Sequence, residues 1–315
     1  MITLQEIEAT GKRIQPYVRS TPLMNVGPVK NQIGHFRQLY LKLECLQITG
    51  SFKARGAVNK LLSLTSEQLS RGIVTASGGN HGLGVAYAGS LKQIPVTVYL
   101  PRSTQPAKIE KLKTWGAQVI LEGEVWDDAN KAALLAAEQQ QLAYFHAFAD
   151  PDVIRGQGTV CLEILEDVSD IDILIVATGG GGLIGGMSIV AKSLKPAMKV
   201  YGVEPVGAPT LYESLKAGHL VGLPSVQTKA TSLASRNSDP QNFEIIQRFV
   251  DRIVLVTDEE MLQAASWLWQ ELGVAAELSG AASIAALMTG QIPISPEHKV
   301  CAVICGMGTD GIPQS

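Results

Sequence analysis

The sequence runs to 315 residues, of which 46% are hydrophobic and 17% charged, with a formal net charge of −3. That balance excludes a disordered chain and leaves no basic field for nucleic acid or an anionic membrane. What remains is small-molecule chemistry in one large or two modest domains.

Thr3 and Glu6 have the capping-box spacing before a first helix. Residues 38–46 read as a strand, 54–64 as a helix, 72–77 as a strand and 81–92 as a helix. A strand over 96–100 precedes a helix over 106–115, with Pro106 in its first turn and Gly116 at its stop. Strand 117–122 and helix 127–140 repeat the pair. Residues 172–178 form a continuous apolar run, as in a parallel strand covered on both faces. A strand over 199–205 follows the next helix, Thr257 and Glu260 form a second capping box, and 299–306 reads as a closing strand. The stretch 219–242 is the least regular and is expected to be a long surface or active-site loop.

This alternation predicts an α/β fold with mostly parallel sheet, whose ligands sit where strand ends meet helix starts. Cysteines 45, 161, 301 and 305 form no CxxC pair, so neither a zinc knuckle nor a disulfide framework is expected. The first residues lack the basic and apolar regions of a signal peptide, and no apolar run reaches about 18 residues. A reduced, cytoplasmic, soluble protein is expected.

Three glycine-rich turns stand at strand ends: "SGGNHG" (77–82), "TGGGGLIGG" (178–186) and "CGMGTDG" (305–311). Backbone N–H groups at such a turn cradle phosphate, and the helix dipole favours the anion. Gly180, Gly182 and Gly185 also satisfy G-x-G-x-x-G, and Glu204 lies 22 residues after Gly182, so a nicotinamide-dependent oxidoreductase is one reading. Lys53 argues for another. It stands in "TGSFKARGA" (49–57), beside Phe52 and small residues at a helix start. Desolvation and the positive end of the dipole both favour its neutral amine. A neutral lysine attacks carbonyl carbon to give a Schiff base. An amine-reactive aldehyde that carries a phosphate is pyridoxal 5′-phosphate, which Lys53 and the glycine run would hold at opposite ends. The "SGGNHG" turn suits a second anion such as a substrate carboxylate, and Asn80 suits a ring hydroxyl.

The segments "STPL" (20–23), "LECLQITGSFKARGA" (43–57), "SGGNHG", "GAQV" (116–119), "GQGTVCLEIL" (156–165), "TGGGGLIGG", "GVEP" (202–205) and "CGMGTD" (305–310) occur in that order. Over essentially the whole chain they resemble the threonine/serine dehydratase family of pyridoxal-phosphate enzymes, fold type II. The resemblance implies two open, twisted, mostly parallel sheets covered by helices. It implies a larger domain of residues 1–72 and 150–315 and a smaller, mobile one of 73–149. Lys53 resembles the lysine that carries the cofactor and moves the α-proton, and Phe52 the residue packed beside the ring. Asn80 matches the asparagine at the ring oxygen. Ser77, Gly78, Gly79, Asn80 and His81 match the loop that grips the substrate carboxylate. Gly179, Gly180, Gly181 and Gly182 match the phosphate cup. Glu277 matches a glutamate near the ring, with Leu278 where proline is usual. Cys305 matches the Ser, Thr or Cys facing the pyridine nitrogen.

The implied activity is dehydration and deamination of a 3-hydroxy amino acid, threonine or serine, to a 2-oxo acid and ammonia. Alternatives are a bulkier substrate such as an aryl-serine, or an amino-acid racemase. A homodimer or homotetramer is implied. A thiol at Cys305, near its ordinary pKa of about 8.5, holds no full proton on the pyridine and so favours β-elimination. Gly78 stands where serine racemases carry a serine, which disfavours two-base racemisation. In the metal site of some members Glu204 and Ala208 match but Thr210 replaces the aspartate, so no metal is expected. "TSLAS" (231–235) stands where "ADG" is common and "CGMGTD" replaces "SGGN". With the sequence ending at Ser315, no C-terminal regulatory domain is expected.

Overall fold

A computed structural model describes residues 2–313. In chain order the strands are β1 (Leu23–Asn25), β2 (Gln38–Lys42), β3 (Ile73–Thr75), β4 (Val96–Leu100), β5 (Gln118–Leu121), β6 (Ala143–Tyr144), β7 (Ile173–Ala177), β8 (Lys199–Pro205), β9 (Arg252–Val256) and β10 (Lys299–Val303). The first six helices are α1 (Leu4–Ile14), α2 (Lys53–Ser63), α3 (Ser66–Ser70), α4 (Asn80–Leu91), α5 (Pro106–Lys113) and α6 (Trp126–Gln140). The next six are α7 (Pro151–Asp167), α8 (Gly182–Leu194), α9 (Thr210–Ala217), α10 (Pro240–Phe249), α11 (Asp258–Leu272) and α12 (Leu278–Met288).

Two sheets result. The larger has the order β1-β2-β10-β7-β8-β9 and the smaller β5-β4-β3-β6. Every described pairing is parallel except that of β1 with β2. Hydrophobicity explains the centre: all of Ile173–Ala177 is buried, and β10 lies beside it with Val300 opposite Ile173. A second core lies on the smaller sheet, around Val98, Leu100, Leu112 and Phe145. α2 packs against both α4 and α7. A Cβ on Gly84 of α4 would stand 3.0 Å from the Lys53 carbonyl, so only glycine allows that helix to press on the start of α2. No described helix is long and apolar enough to cross a membrane.

Both capping boxes form. Glu6 N–H donates to Thr3 Oγ1 at 3.3 Å and Glu260 N–H to Thr257 Oγ1 at 3.1 Å. The expected strand over 38–46 stops at Lys42, and Glu44–Leu46 is a 3₁₀ turn. The turn sends the Glu44 carboxylate inward to Arg55, at 2.7 Å and 2.8 Å. The strand expected over 299–306 ends at Val303, because the chain then turns to meet residues 51 and 52. α12 has no periodic signature in the sequence, since it is buried from Leu278 to Leu287 and so lacks a polar face.

Candidate active site

The approach to Lys53 is a tight turn. Thr49 has φ 67° and Gly50 φ 83°, left-handed conformations that reverse the chain before α2. Ser51 then bridges Gly306, and Phe52 N–H donates to the Cys305 carbonyl at 3.4 Å. Residues far apart in sequence are thereby joined, and Lys53 emerges as the first residue of α2. Its Nζ donates to the Ala147 carbonyl at 2.7 Å and lies 5.2 Å from the Phe52 ring centroid. No carboxylate pairs with it among the described residues. Burial therefore pushes its pKa down to about 8, against the opposing pull of Cys305 and Glu277.

Asn80 opens α4 and meets the far side of the cleft. Its Nδ2 donates to Glu277 Oε1 at 2.8 Å, and Ser232 Oγ donates to Glu277 Oε2 at 3.2 Å. A Cβ on Gly306 would fall 2.3 Å from that carboxylate, so glycine in the turn after β10 lets the Glu277 side chain lie where it does. Burial raises the Glu277 pKa, opposed by the bonds from Ser232 and Asn80. At the start of α4 the N–H groups of Asn80, His81 and Gly82 have no acceptor inside the helix. Gly79 N–H turns back to Ser77 Oγ at 3.3 Å. The imidazole of His81 is not part of this open turn. It is buried, with Nε2 2.9 Å from the Phe145 carbonyl, and burial pushes its pKa down to about 3. Its Nε2 is thus engaged inside the protein, and its backbone N–H remains at the open turn.

Gly179, Gly180 and Gly181 lie between β7 and α8, Gly182 opens α8, and Gly181 has φ 94°. A Cβ on Gly180 would reach 2.3 Å from the Phe148 ring. Packing as well as ligand access therefore demands glycine. Cys305 is buried, and its thiol donates to the Ser279 carbonyl at 3.4 Å. Burial pushes it well above the ordinary thiol range expected from sequence, so it is a firmer neutral group than foreseen. The other three cysteines are likewise buried and free.

At the matched metal positions, Glu204 and Thr210 have partners within the protein. The Glu204 carboxylate accepts the N–H groups of Leu211 and Tyr212 at 2.9 Å and 2.8 Å, at the start of α9. Burial raises its pKa to about 8. Ala208 offers only its backbone carbonyl, and Thr210 Oγ1 donates to the Ser235 carbonyl. The same capping bonds occupy the acid that a nicotinamide reading assigns to a ribose.

A family profile described as "Pyridoxal-phosphate dependent enzyme" matches residues 14–306. The chain belongs to the pyridoxal-phosphate-dependent enzyme family. Within that family it is 40% identical to the L-threonine ammonia-lyase of Thermotoga maritima over 310 residues, 98% of this chain and 76% of the relative. It is 35% identical to the serine racemase of Dictyostelium discoideum, over 98% of this chain and 94% of the relative. The solved structure of the processed form of threonine deaminase isoform 2 from Solanum lycopersicum superposes with a TM-score of 0.91 at 33% identity, covering 97% of this chain and 83% of that one. The two sheets are those of this family's fold. The residues present suit its cofactor: a lysine amine without a counter-charge for the aldehyde, and a glycine turn ahead of a helix start for the phosphate.

The Ala147 carbonyl, Ser232 and the residues behind the glycine turn belong to no motif in the sequence. A backbone carbonyl has no sequence signature. Ser232 lies within the "TSLAS" departure, which was the available signal.

Proposed function

We propose that the chain is a pyridoxal-phosphate-dependent ammonia-lyase that dehydrates and deaminates a 3-hydroxy amino acid, threonine or serine, to a 2-oxo acid and ammonia. The observation that carries this is Lys53: a buried amine with a pKa of about 8, in no ion pair among the described residues and bonded to a carbonyl at 2.7 Å. The relative named L-threonine ammonia-lyase supplies the substrate class. When bound, the cofactor supplies the electron sink that makes an amino acid's α-hydrogen removable.

The chain's own groups do the rest. Lys53 Nζ accepts the α-proton as a neutral amine, and the Ala147 carbonyl orients it. The turn Gly179–Gly182 holds the phosphate, while the open N–H groups at the start of α4 hold the substrate carboxylate. Phe52, Asn80, Glu277 and Cys305 would line the cofactor's ring. With its proton held toward Ser279, the Cys305 thiol would give a pyridine nitrogen no full charge, which would favour loss of a β-hydroxyl. Segment 73–149 closes over the substrate and excludes water. A cytoplasmic homodimer or homotetramer is the working form.

The test is 2-oxo acid release from a panel of 3-hydroxy amino acids, with a visible cofactor band that Lys53→Ala removes. Release from none of the panel would sink the proposal. The serine racemase relative keeps racemisation as a second reading. Gly78 offers no side-chain base, and a Cβ there would meet Leu100 at 3.2 Å. Chiral analysis of recovered serine separates the two.

A further inference from the structure

The phosphate turn is braced from outside by residues that contact no ligand in the reading above. The Gly180 carbonyl accepts two side-chain hydrogen bonds, from Asn242 Nδ2 at 2.9 Å and from Ser238 Oγ at 3.1 Å. Asn242 is fully buried in the first turn of α10, and its Nδ2 also donates to the Phe148 carbonyl at 3.1 Å. The Phe148 ring is what a Cβ on Gly180 would strike. One amide therefore ties the glycine turn to the segment whose Ala147 carbonyl meets Lys53.

The geometry has a chemical consequence. The carbonyl of Gly180 and the N–H of Gly181 belong to one trans peptide, so they point opposite ways. Two donors drawing the carbonyl toward α10 aim the Gly181 N–H away from it. That N–H has no partner among the described residues, and Gly181 is at φ 94°. Its conformation is further confined by Ile246, Leu211 and Asn242 itself, which a Cβ would meet at 2.8 Å, 3.1 Å and 3.3 Å. A free turn could rotate this peptide and present the carbonyl, which repels an anion; the braced turn cannot.

We infer that Asn242 and Ser238 are positioning residues for phosphate, holding the Gly180–Gly181 peptide with its N–H toward the ligand. The inference rests on the proposed function, since the phosphate in question is that of pyridoxal 5′-phosphate. It assigns a role to the end of the irregular 219–242 stretch.

The test compares two aldehydes on the purified chain freed of cofactor: pyridoxal 5′-phosphate, and pyridoxal, which lacks the phosphate. Binding is read by visible absorbance, and the phosphate's environment by its phosphorus resonance. Asn242→Ala is expected to weaken pyridoxal 5′-phosphate on the order of tenfold per lost bond and to move the resonance toward that of the free ester. Pyridoxal binding is expected to change less than about twofold, because the two Gly180 bonds act on the phosphate end and the Phe148 bond reaches Lys53 only through the neighbouring Ala147. Ser238→Ala, at a half-buried side chain that leaves α10 intact, is expected to do the same to a smaller degree. Equal losses for both aldehydes would overturn the inference in favour of a general packing role, and so would no loss for either. If the unaltered chain takes up neither aldehyde, the proposed function itself fails, and the inference with it.

Discussion

Lys53 and Arg55 stand two residues apart in the first turn of α2, yet the fold treats their charges in opposite ways. Arg55 is fully buried and surrounded by acids: Glu44 at 2.7 Å and 2.8 Å, Glu163 at 2.6 Å and 2.9 Å. Burial opposes its charge, but Glu44 and Glu163 more than offset that and hold the proton more firmly than water does. Lys42 completes the cluster at 2.6 Å from Glu163. Lys53 receives only a carbonyl, and its proton is correspondingly loose. The comparison teaches that a cation near a helix start is held or released according to its partners and not its position. The cluster around Arg55 anchors the helix that carries the lysine, so a charge-keeping site supports a charge-shedding one.

The largest expected effect falls on the shedding side. Lys53→Ala should lower 2-oxo acid formation at least about a thousandfold and abolish the visible cofactor band. Persistence of the band would mean that another amine carries the aldehyde. Next comes the keeping side. Arg55→Met leaves Glu44 buried without its partner and should cost about 3–5 kcal/mol in urea unfolding. A loss below about 1 kcal/mol would show that the cluster does not anchor α2.

A third measurement sets the two directly against each other. Lys53→Met should stabilise the cofactor-free chain, because it removes a desolvated ammonium. The sign follows from the depressed pKa. Below about pH 8 the lysine is charged in both states and its penalty is full, and between about 8 and 10.5 the folded chain sheds its proton first and the penalty fades. The gain from Lys53→Met should therefore be greatest below pH 8 and vanish toward pH 10.5. The smallest effect concerns Glu277, whose carboxylate pulls the Lys53 pKa upward. In Glu277→Gln the pH midpoint for capture of pyridoxal 5′-phosphate should move down from about 8, read from capture rates across a pH series. An upward move would contradict the electrostatic account.

Much of this was legible in the residues. The strand–helix alternation needs only period and caps, and Thr3–Glu6 and Thr257–Glu260 both form as spelled. The loose proton on Lys53 could be anticipated from its apolar neighbours. What could not be read was where charges turn. Glu44 looks like part of a strand until Arg55 is known to lie behind it. His81 sits in a ligand-like motif, yet its ring bonds to Phe145, 64 residues away. Glu204 has the spacing of a ribose ligand and serves instead to cap α9. Each is decided by a partner on another element, which the spacing within one element cannot supply.

The position of β10 between β2 and β7 has a further consequence for the life of the chain. Its residues, 299–303, and the Gly306 that bridges Ser51 are translated some 250 positions after Lys53. During synthesis the sheet has a gap at its centre, and Lys53 lacks the Cys305 side of its enclosure. A lysine in that state is an ordinary hydrated ammonium, of which only a small fraction is neutral amine at neutral pH. Full burial of the amine, and with it the lowered pKa, therefore waits on the last strand and the turn that follows it.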